Sequence, residues 1–395
     1  MSTVAAAVRV HAHPDTADPL PAVRVALLGL GHVGSAVASL AREVGRSHGI
    51  AIAGALVRDA SRARGVESRT FELSADPDAL FASAPDVVVE VLGGLEPART
   101  LVLAAIGRGI PVVTANKSLL AHHGDEILEA ASQAGVPLRY EASVLAGVPF
   151  LGTLARRPMA AEIDRIAGIL NGTSNFVLSK MAAGRIPLDQ ALDVAQRLGY
   201  AEPDPENDVT GRDAVEKLCV LLRHCGGWSV QPAEVERSGL DGLTSADLEH
   251  ASALGGVIRP LAAAEWSGGA VTAFAGPAFV PAGSLLARVD GVQNAVALRS
   301  RRSGDLFFSG PGAGPDATAA TLLDDVLEVS RETAFPTRGR RRPVPCGTPQ
   351  SGWFVRLAST RLPEERDVAD LLGAHGVWMR RTSERDTRDG IGRQW

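Results

Sequence analysis

Lysine is scarce in this chain. Of 40 basic residues only three, Lys117, Lys180 and Lys217, are lysines, and the rest are arginines. Arginine serves a solvated position well, whereas a compact ammonium that can gain and lose a proton calls for lysine. Lys217 follows Asp213 by four residues, so the two share one face of any helix that carries them. Ala214, Leu218, Leu221, Leu222 and Cys225 give that helix an apolar stripe with Lys217 at its edge, and the same spacing predicts that Glu216 points away. Upstream, AEPDPENDV presents Glu202, Asp204 and Asp208 on a backbone stiffened by Pro203 and Pro205. Rigid carboxylates suit the ammonium group of a small ligand, although Asp208 equally suits a helix N-cap. A partly buried lysine beside them could stand at a reacting oxygen and move a proton.

Such chemistry needs elements to hold it. VRVALL (23–28) reads as a buried strand, GLGHVG brings Gly29, Gly31, His32, Val33 and Gly34, and SAVASLAREV continues as a helix. A glycine turn between strand and helix lets a pyrophosphate approach the helix N-terminus. The next strand, 50–57, ends at Arg58, which suits the 2′-phosphate of NADP, while Asp59 leaves NAD open. PDVVVEVLGG ends a strand at Gly93 and Gly94, IPVVTANK ends one at Asn116 and Lys117, and VPLRYEASV reads as another strand carrying Glu141. Alternating strands and helices predict a doubly wound parallel sheet, with ligands beyond the strand ends. Gly93, Gly94, Asn116, Lys117 and Glu141 then surround one crevice.

Past residue 150 the pattern changes, and 245–309 reads as short strands and helices, followed by a glycine-rich loop that enters another helix. The fold class is therefore α/β: a Rossmann-type doubly wound dinucleotide-binding domain, a second α+β domain and a short C-terminal βαβ-like tail. The boundaries fall at 1–21 (disordered lead-in), 22–150 with 310–335 (dinucleotide-binding), 151–309 (second domain), 336–351 (a proline- and arginine-rich linker) and 352–395 (tail). The 395 residues are 45% hydrophobic and 22% charged, with a net charge of −5, which argues against nucleic acid or an anionic membrane as partner. No apolar run reaches the length of a membrane span, and the first residues lack a signal-peptide pattern. Cys219, Cys225 and Cys346 show no CxxC or zinc spacing and suit a reducing, cytoplasmic setting.

Gly199, Tyr200, Glu202, Asp204, Pro205, Asp208, Gly211, Asp213 and Lys217 together resemble the signature of the homoserine dehydrogenases. GLGHVG, VTANKSLLAHHG, YEASV, ILNGTSNFVL and GPGAG match further blocks of that family, in its order, over roughly residues 23 to 330. The resemblance implies a homodimeric NADP- or NAD-dependent oxidoreductase that interconverts L-homoserine and L-aspartate 4-semialdehyde, on the route to threonine and methionine. It implies Lys217 as the acid/base lysine and Lys117 as a second lysine of the cleft. Glu202, Asp213, Asp208, Gly172 and Thr173 are implied as substrate-binding, and Gly199 and Gly312 as cofactor-contacting. It also implies a sodium site from Glu141 and the carbonyls of Val144, Ala146 and Val148; a buried carboxylate paired with protein donors is the competing reading of Glu141.

Two departures qualify the match. LAGVP places Leu145 where a smaller residue is usual, which bears on substrate fit and on the cation site. The tail from Trp353 is about half the length of the ACT domain many members carry, which speaks against threonine feedback through an intact one. Three rival readings follow. A thioester-forming semialdehyde dehydrogenase needs a cysteine nucleophile, and these cysteines lie in a helix stripe or a linker. A nucleotide-binding sensor fits poorly with intact Lys117, Asp213 and Lys217. A paralogue acting on a related amino alcohol or aldehyde has only Leu145 in its favour.

Overall fold

A computed structural model of the chain describes residues 22–61, 70–331, 342–343 and 346–347. The expected lead-in (1–21) and C-terminal tail (352–395) lie outside these residues, as does most of the expected linker.

The first sheet is all parallel. Its strands are β1 (Val23–Leu28), β2 (Ile50–Leu56), β3 (Glu72–Ser74), β4 (Val87–Glu90), β5 (Val112–Thr114) and β6 (Leu138–Arg139), in the order β3-β2-β1-β4-β5-β6. That order reverses between β1 and β4, which opens a crevice at their carboxyl ends. The apolar runs are continuous because both faces are covered. Val25 and Leu27 pack with helices His32–His48 and Pro315–Arg331, whereas Ala26 and Leu28 pack with helices Ala98–Gly107 and Lys117–Ala134.

The expected strand around Glu141 is shorter than VPLRYEASV. Only Leu138–Arg139 pairs, and a single 3₁₀ turn, Glu141–Ser143, follows. The physical reason is that the Glu141 carboxylate turns back onto nearby backbone amides, as described below.

The second sheet is mixed, with strands Gly304–Pro311, Gln293–Ser300, Ile163–Ile169, Gly256–Ser267 and Ala270–Pro281 in that spatial order. Two of them run for 12 residues each and pair along their whole length, longer than the sequence suggests. Gly310 and Pro311, expected in the glycine-rich loop, are the end of a strand. Cys346–Gly347 adds to this sheet beside Val271 and Thr272, and Arg342–Pro343 pairs with Trp228–Ser229, so part of the expected linker is built into the fold.

Helix Arg212–Gly226 lies between the two sheets' layers. It packs on helix Lys117–Ala134 on one side and on the second sheet on the other. Arg223, 5% exposed, clamps the helix pair: its Nε donates to Asp125 at 2.8 Å and its Nη1 to the Leu120 carbonyl at 2.8 Å. This contact brings the lysine of each helix to one place.

Candidate active site

The glycine turn is shaped from within. A Cβ on Gly34 would stand 2.4 Å from the Gly29 carbonyl oxygen, so helix and strand can meet this closely only at glycine. Gly29 itself has φ +108°. Gly31 faces open space, as do Gly93 and Gly94 on the neighbouring strand-end loop. Gly31 at the N-cap of helix His32–His48 brings no side-chain cap and no acid stands in the first turn, which suits its amides to an anion. The residues present therefore fit a dinucleotide pyrophosphate. His32 is exposed and Val33 half-buried. Arg58 is exposed just past β2, while Asp59 accepts from Ser61 Oγ at 2.6 Å.

Glu90 organises the loops of this crevice. It ends β4 at 0% exposure and accepts from the Leu92 amide at 2.8 Å, Thr114 Oγ1 at 2.5 Å and Asn116 Nδ2 at 3.3 Å. Burial raises its pKa against those donors. Asn116 also donates to the Gly94 carbonyl at 2.8 Å and caps helix Lys117–Ala134 by accepting from the Leu119 amide at 3.0 Å. One carboxylate thus ties two strand-end loops to the start of the Lys117 helix.

Lys117 and Lys217 meet at Asp213. Lys117 Nζ lies 3.2 Å from Asp213 Oδ1, and Lys217 Nζ lies 3.0 Å from Asp213 Oδ2. Lys217 also donates to the Leu170 carbonyl at 2.7 Å. Burial pushes the Asp213 carboxyl up, but the two ammonium groups outweigh it and hold the pKa at about 2. Asp213 in turn raises Lys117, against desolvation and with help from Glu216 and Asp208. Asn171 Nδ2 reaches Asp208 at 2.7 Å and Asp213 at 2.8 Å, and its Oδ1 caps helix Gly172–Gly184 at the Ser174 amide.

A pocket of about 390 Å³ opens in front of this cluster. Lys117, Asp213, Glu216, Asp208, Thr173, Gly199, Glu202 and Asp204 line it; Lys217 stands behind, 8% exposed. Gly199 turns with φ +75°, and Gln196 holds the following loop through the Glu202 and Pro203 carbonyls at 3.1 and 3.2 Å. Thr173 ties its helix to the same loop by donating to the Tyr200 carbonyl at 2.6 Å.

Several expectations are corrected by this geometry. Asp208 is not an N-cap: it lies within the short helix Glu206–Val209, and helix Arg212–Gly226 starts after Gly211, at φ +76°. Glu216 does not point away, because its helix is covered on more than one side; it accepts from Ser118 Oγ at 2.6 Å inside the pocket wall. Leu145 is fully buried in the core and does not line the pocket. The binding roles implied for Gly172 and Gly312 are left as they stand, and both glycines also serve close packing: a Cβ would meet the Val292 carbonyl oxygen at 2.8 Å and Asn294 Oδ1 at 2.2 Å, respectively.

Glu141 lies apart from the crevice. It accepts from the amides of Phe150, Leu151 and Gly152 at 2.8, 2.8 and 2.6 Å, capping helix Leu151–Arg156. The Ala146 carbonyl accepts from Thr321 Oγ1. Both Glu141 oxygens accept from N–H donors of the backbone, as an anion capping a helix does. This is the competing reading of Glu141, a buried carboxylate paired with protein donors; the sodium site implied for Glu141, Val144, Ala146 and Val148 gains no support from it.

Glu90, Asn171 and Ser118 were not singled out in the sequence. Glu90 carried a signal, a lone acid closing a run of buried valines. Asn171 also carried one, as an N-cap residue ahead of GTS.

A doubly wound sheet with an open glycine turn, set against a lysine–aspartate–lysine cluster in one pocket, defines a nicotinamide-dependent oxidoreductase. The chain belongs to the homoserine dehydrogenase family. The family model for the homoserine dehydrogenase NAD binding domain matches residues 29–141, and that for homoserine dehydrogenase matches residues 149–327. The homoserine dehydrogenase of Lactococcus lactis is 38% identical over 329 residues, covering 80% of this chain and 76% of its own. That of Pseudomonas aeruginosa is 37% identical over 397 residues, covering 94% and 90%. A solved homoserine dehydrogenase from Thiobacillus denitrificans superposes with a TM-score of 0.73 at 38% identity, covering 78% of this chain and 73% of that one. A hyperthermophilic archaeal homoserine dehydrogenase in complex with NADPH gives 0.66 at 26% identity, covering 78% and 98%. Among the described residues no helix is long and apolar enough to cross a membrane.

Proposed function

We infer that the chain interconverts L-homoserine and L-aspartate 4-semialdehyde with NADP, and that the Lys117–Asp213–Lys217 unit carries the proton step. The observation that supports this most is the shared carboxylate: two ammonium groups meet one buried aspartate at 3.2 and 3.0 Å beside the pocket. A nicotinamide dinucleotide held at the glycine turn would supply hydride in reduction and accept it in oxidation. In reduction, negative charge grows on the carbonyl oxygen, and a lysine ammonium stabilises and protonates it. In oxidation the same lysine, deprotonated, takes the hydroxyl proton. Glu202 and Asp208 receive the substrate ammonium, with Thr173 and Gly199 shaping the wall around it. Exposed Arg58, beside an Asp59 already engaged by Ser61, favours the 2′-phosphate of NADP. The glycines of the turn, Gly93, Gly94 and Asn116 hold the rest of the dinucleotide.

The chain also pairs with a second copy through the second sheet. Phe307, Ala297, Ala167, Ala263 and Phe274 stand in one cross-strand row, each half-exposed, on the face turned away from the helices. Small residues at its centre make that face flat enough to stack on itself.

Steady-state oxidation of L-homoserine with NAD and NADP, followed by nicotinamide absorbance, tests the reading. Turnover with a higher kcat/KM for NADP is expected. No turnover with either, despite NADPH binding, would sink it, and a preference for NAD would remove the role of Arg58.

A further inference from the structure

Glu216 is the buried carboxylate of the pocket to which no role has yet been given. It is 8% exposed, lines the pocket with Lys117 and Asp213, and comes from the same helix as Lys217. Its Oε2 accepts from Ser118 Oγ at 2.6 Å, and its Oε1 lies 3.7 Å from His122 Nε2. Ser118 and His122 belong to the first turns of the helix that begins at Lys117. A carboxylate this enclosed persists only where donors or positive charge meet it. Here those are one hydroxyl, one imidazole and the lysine end of the helix.

We propose that Glu216 is a positioning residue for Lys117: its carboxylate fixes the first turn of the Lys117 helix and adds a second negative charge beside that ammonium. Asp213 alone serves two lysines. With Glu216 present, the pocket wall sets Asp208, Asp213 and Glu216 against Lys117, with Lys217 behind on Asp213, the exposed Glu202 and Asp204 along the same pocket, and His122 beside Glu216. Lys117 therefore keeps its proton and its place when the pocket is empty, which favours reduction and defers oxidation to higher pH. Asp213 raises the Lys117 pKa most and Glu216 is the second carboxylate to do so, both against desolvation by burial.

The inference rests on the reading that Lys117 takes part in the proton step, and the two can be tested separately. Only three lysines are present, so protein labelled with 13C-lysine and otherwise deuterated gives a resolvable set of Cε signals. Lys117→Ala assigns the signal of interest. Its pH titration is then compared in wild type and Glu216→Gln, a change that keeps a hydrogen-bonding oxygen for Ser118 and removes the charge. The expected result is a lower titration midpoint for Lys117 in Glu216→Gln. The pH limb of homoserine oxidation should move to lower pH with it. An unchanged Lys117 midpoint overturns the proposal, whatever the variant does to stability. A lower midpoint with an unmoved activity limb upholds Glu216 as partner of Lys117 and removes Lys117 from the proton step.

Discussion

At the scale of single residues, the two lysines are equivalent in type and unequal in place. Lys117 lines the pocket, whereas Lys217 is held from two sides by Asp213 and the Leu170 carbonyl. Replacing the lysine that moves the proton should lower kcat by about 10²–10⁴-fold with KM little changed. Replacing a lysine that only binds should raise KM at nearly constant kcat. Lys117→Ala and Lys217→Ala, assayed in parallel, therefore apportion the roles; wild-type kinetics in both would refute the lysine mechanism. Asp213→Asn should harm both function and stability, because it leaves two ammonium groups without their shared counter-charge. A loss of about 3 kcal/mol in unfolding free energy is expected near neutral pH. The folded pKa of about 2 lies below the ordinary 3.8, so the carboxylate's stabilisation is complete above the unfolded value and is lost as pH falls through the folded one. The gap between wild type and Asp213→Asn should close over that interval in acid denaturation. A gap independent of pH would mean that Asp213 stabilises by packing.

Element by element, legibility followed locality. The strand–glycine–helix unit is local in sequence, so its turn chemistry could be read directly. Gly31 and Gly34 make a clean contrast within it. Gly34→Ala drives a Cβ into the Gly29 carbonyl, so the turn must open and the domain should lose stability. Gly31→Ala meets no protein atom, so the fold should hold while NADPH affinity falls by about tenfold or more, because the methyl occupies the approach of the pyrophosphate. Thermal unfolding and NADPH titration of both variants check this; equal affinity in Gly31→Ala would place the dinucleotide elsewhere. Helix Arg212–Gly226 was harder to read. A helical wheel assumes one buried face, yet every residue from Asp213 to Arg223 is buried, because another helix and a sheet cover it from different sides. That enclosure is a tertiary fact, and it is why Glu216 read as pointing away. The strand expected at Glu141 failed for a related reason: side-chain capping of a helix ten residues on outweighed β-propensity. The two 12-residue strands carry Gly256, Pro260, Gly276 and Pro277, which read locally as breaks.

For the whole molecule, the second sheet has one face covered by helices and another that the described residues only partly cover. The segment Leu285–Arg288 packs over one end, near Ile169, Val280 and Ala295. Beyond it the row from Phe307 to Phe274 stays half-exposed, and the next row along carries Asp305, Arg299, Arg165 and Glu265 in register. An apolar row bordered by paired charges suits a two-fold contact in which the same patch meets itself. Ala167 is at the middle strand of the five, so a long charged side chain there would meet its own copy across the axis. Ala167→Arg should therefore give a monomer by sedimentation or light scattering, while circular dichroism stays that of the wild type. Because Lys117, Asp213 and Lys217 all come from one chain, the monomer should still bind NADPH, and its loss of activity should track any loosening of the strand that leads into Leu170 and Asn171. A wild-type chain that is monomeric at micromolar concentration, or an Ala167→Arg variant that stays dimeric, would show that this face is not where two copies meet.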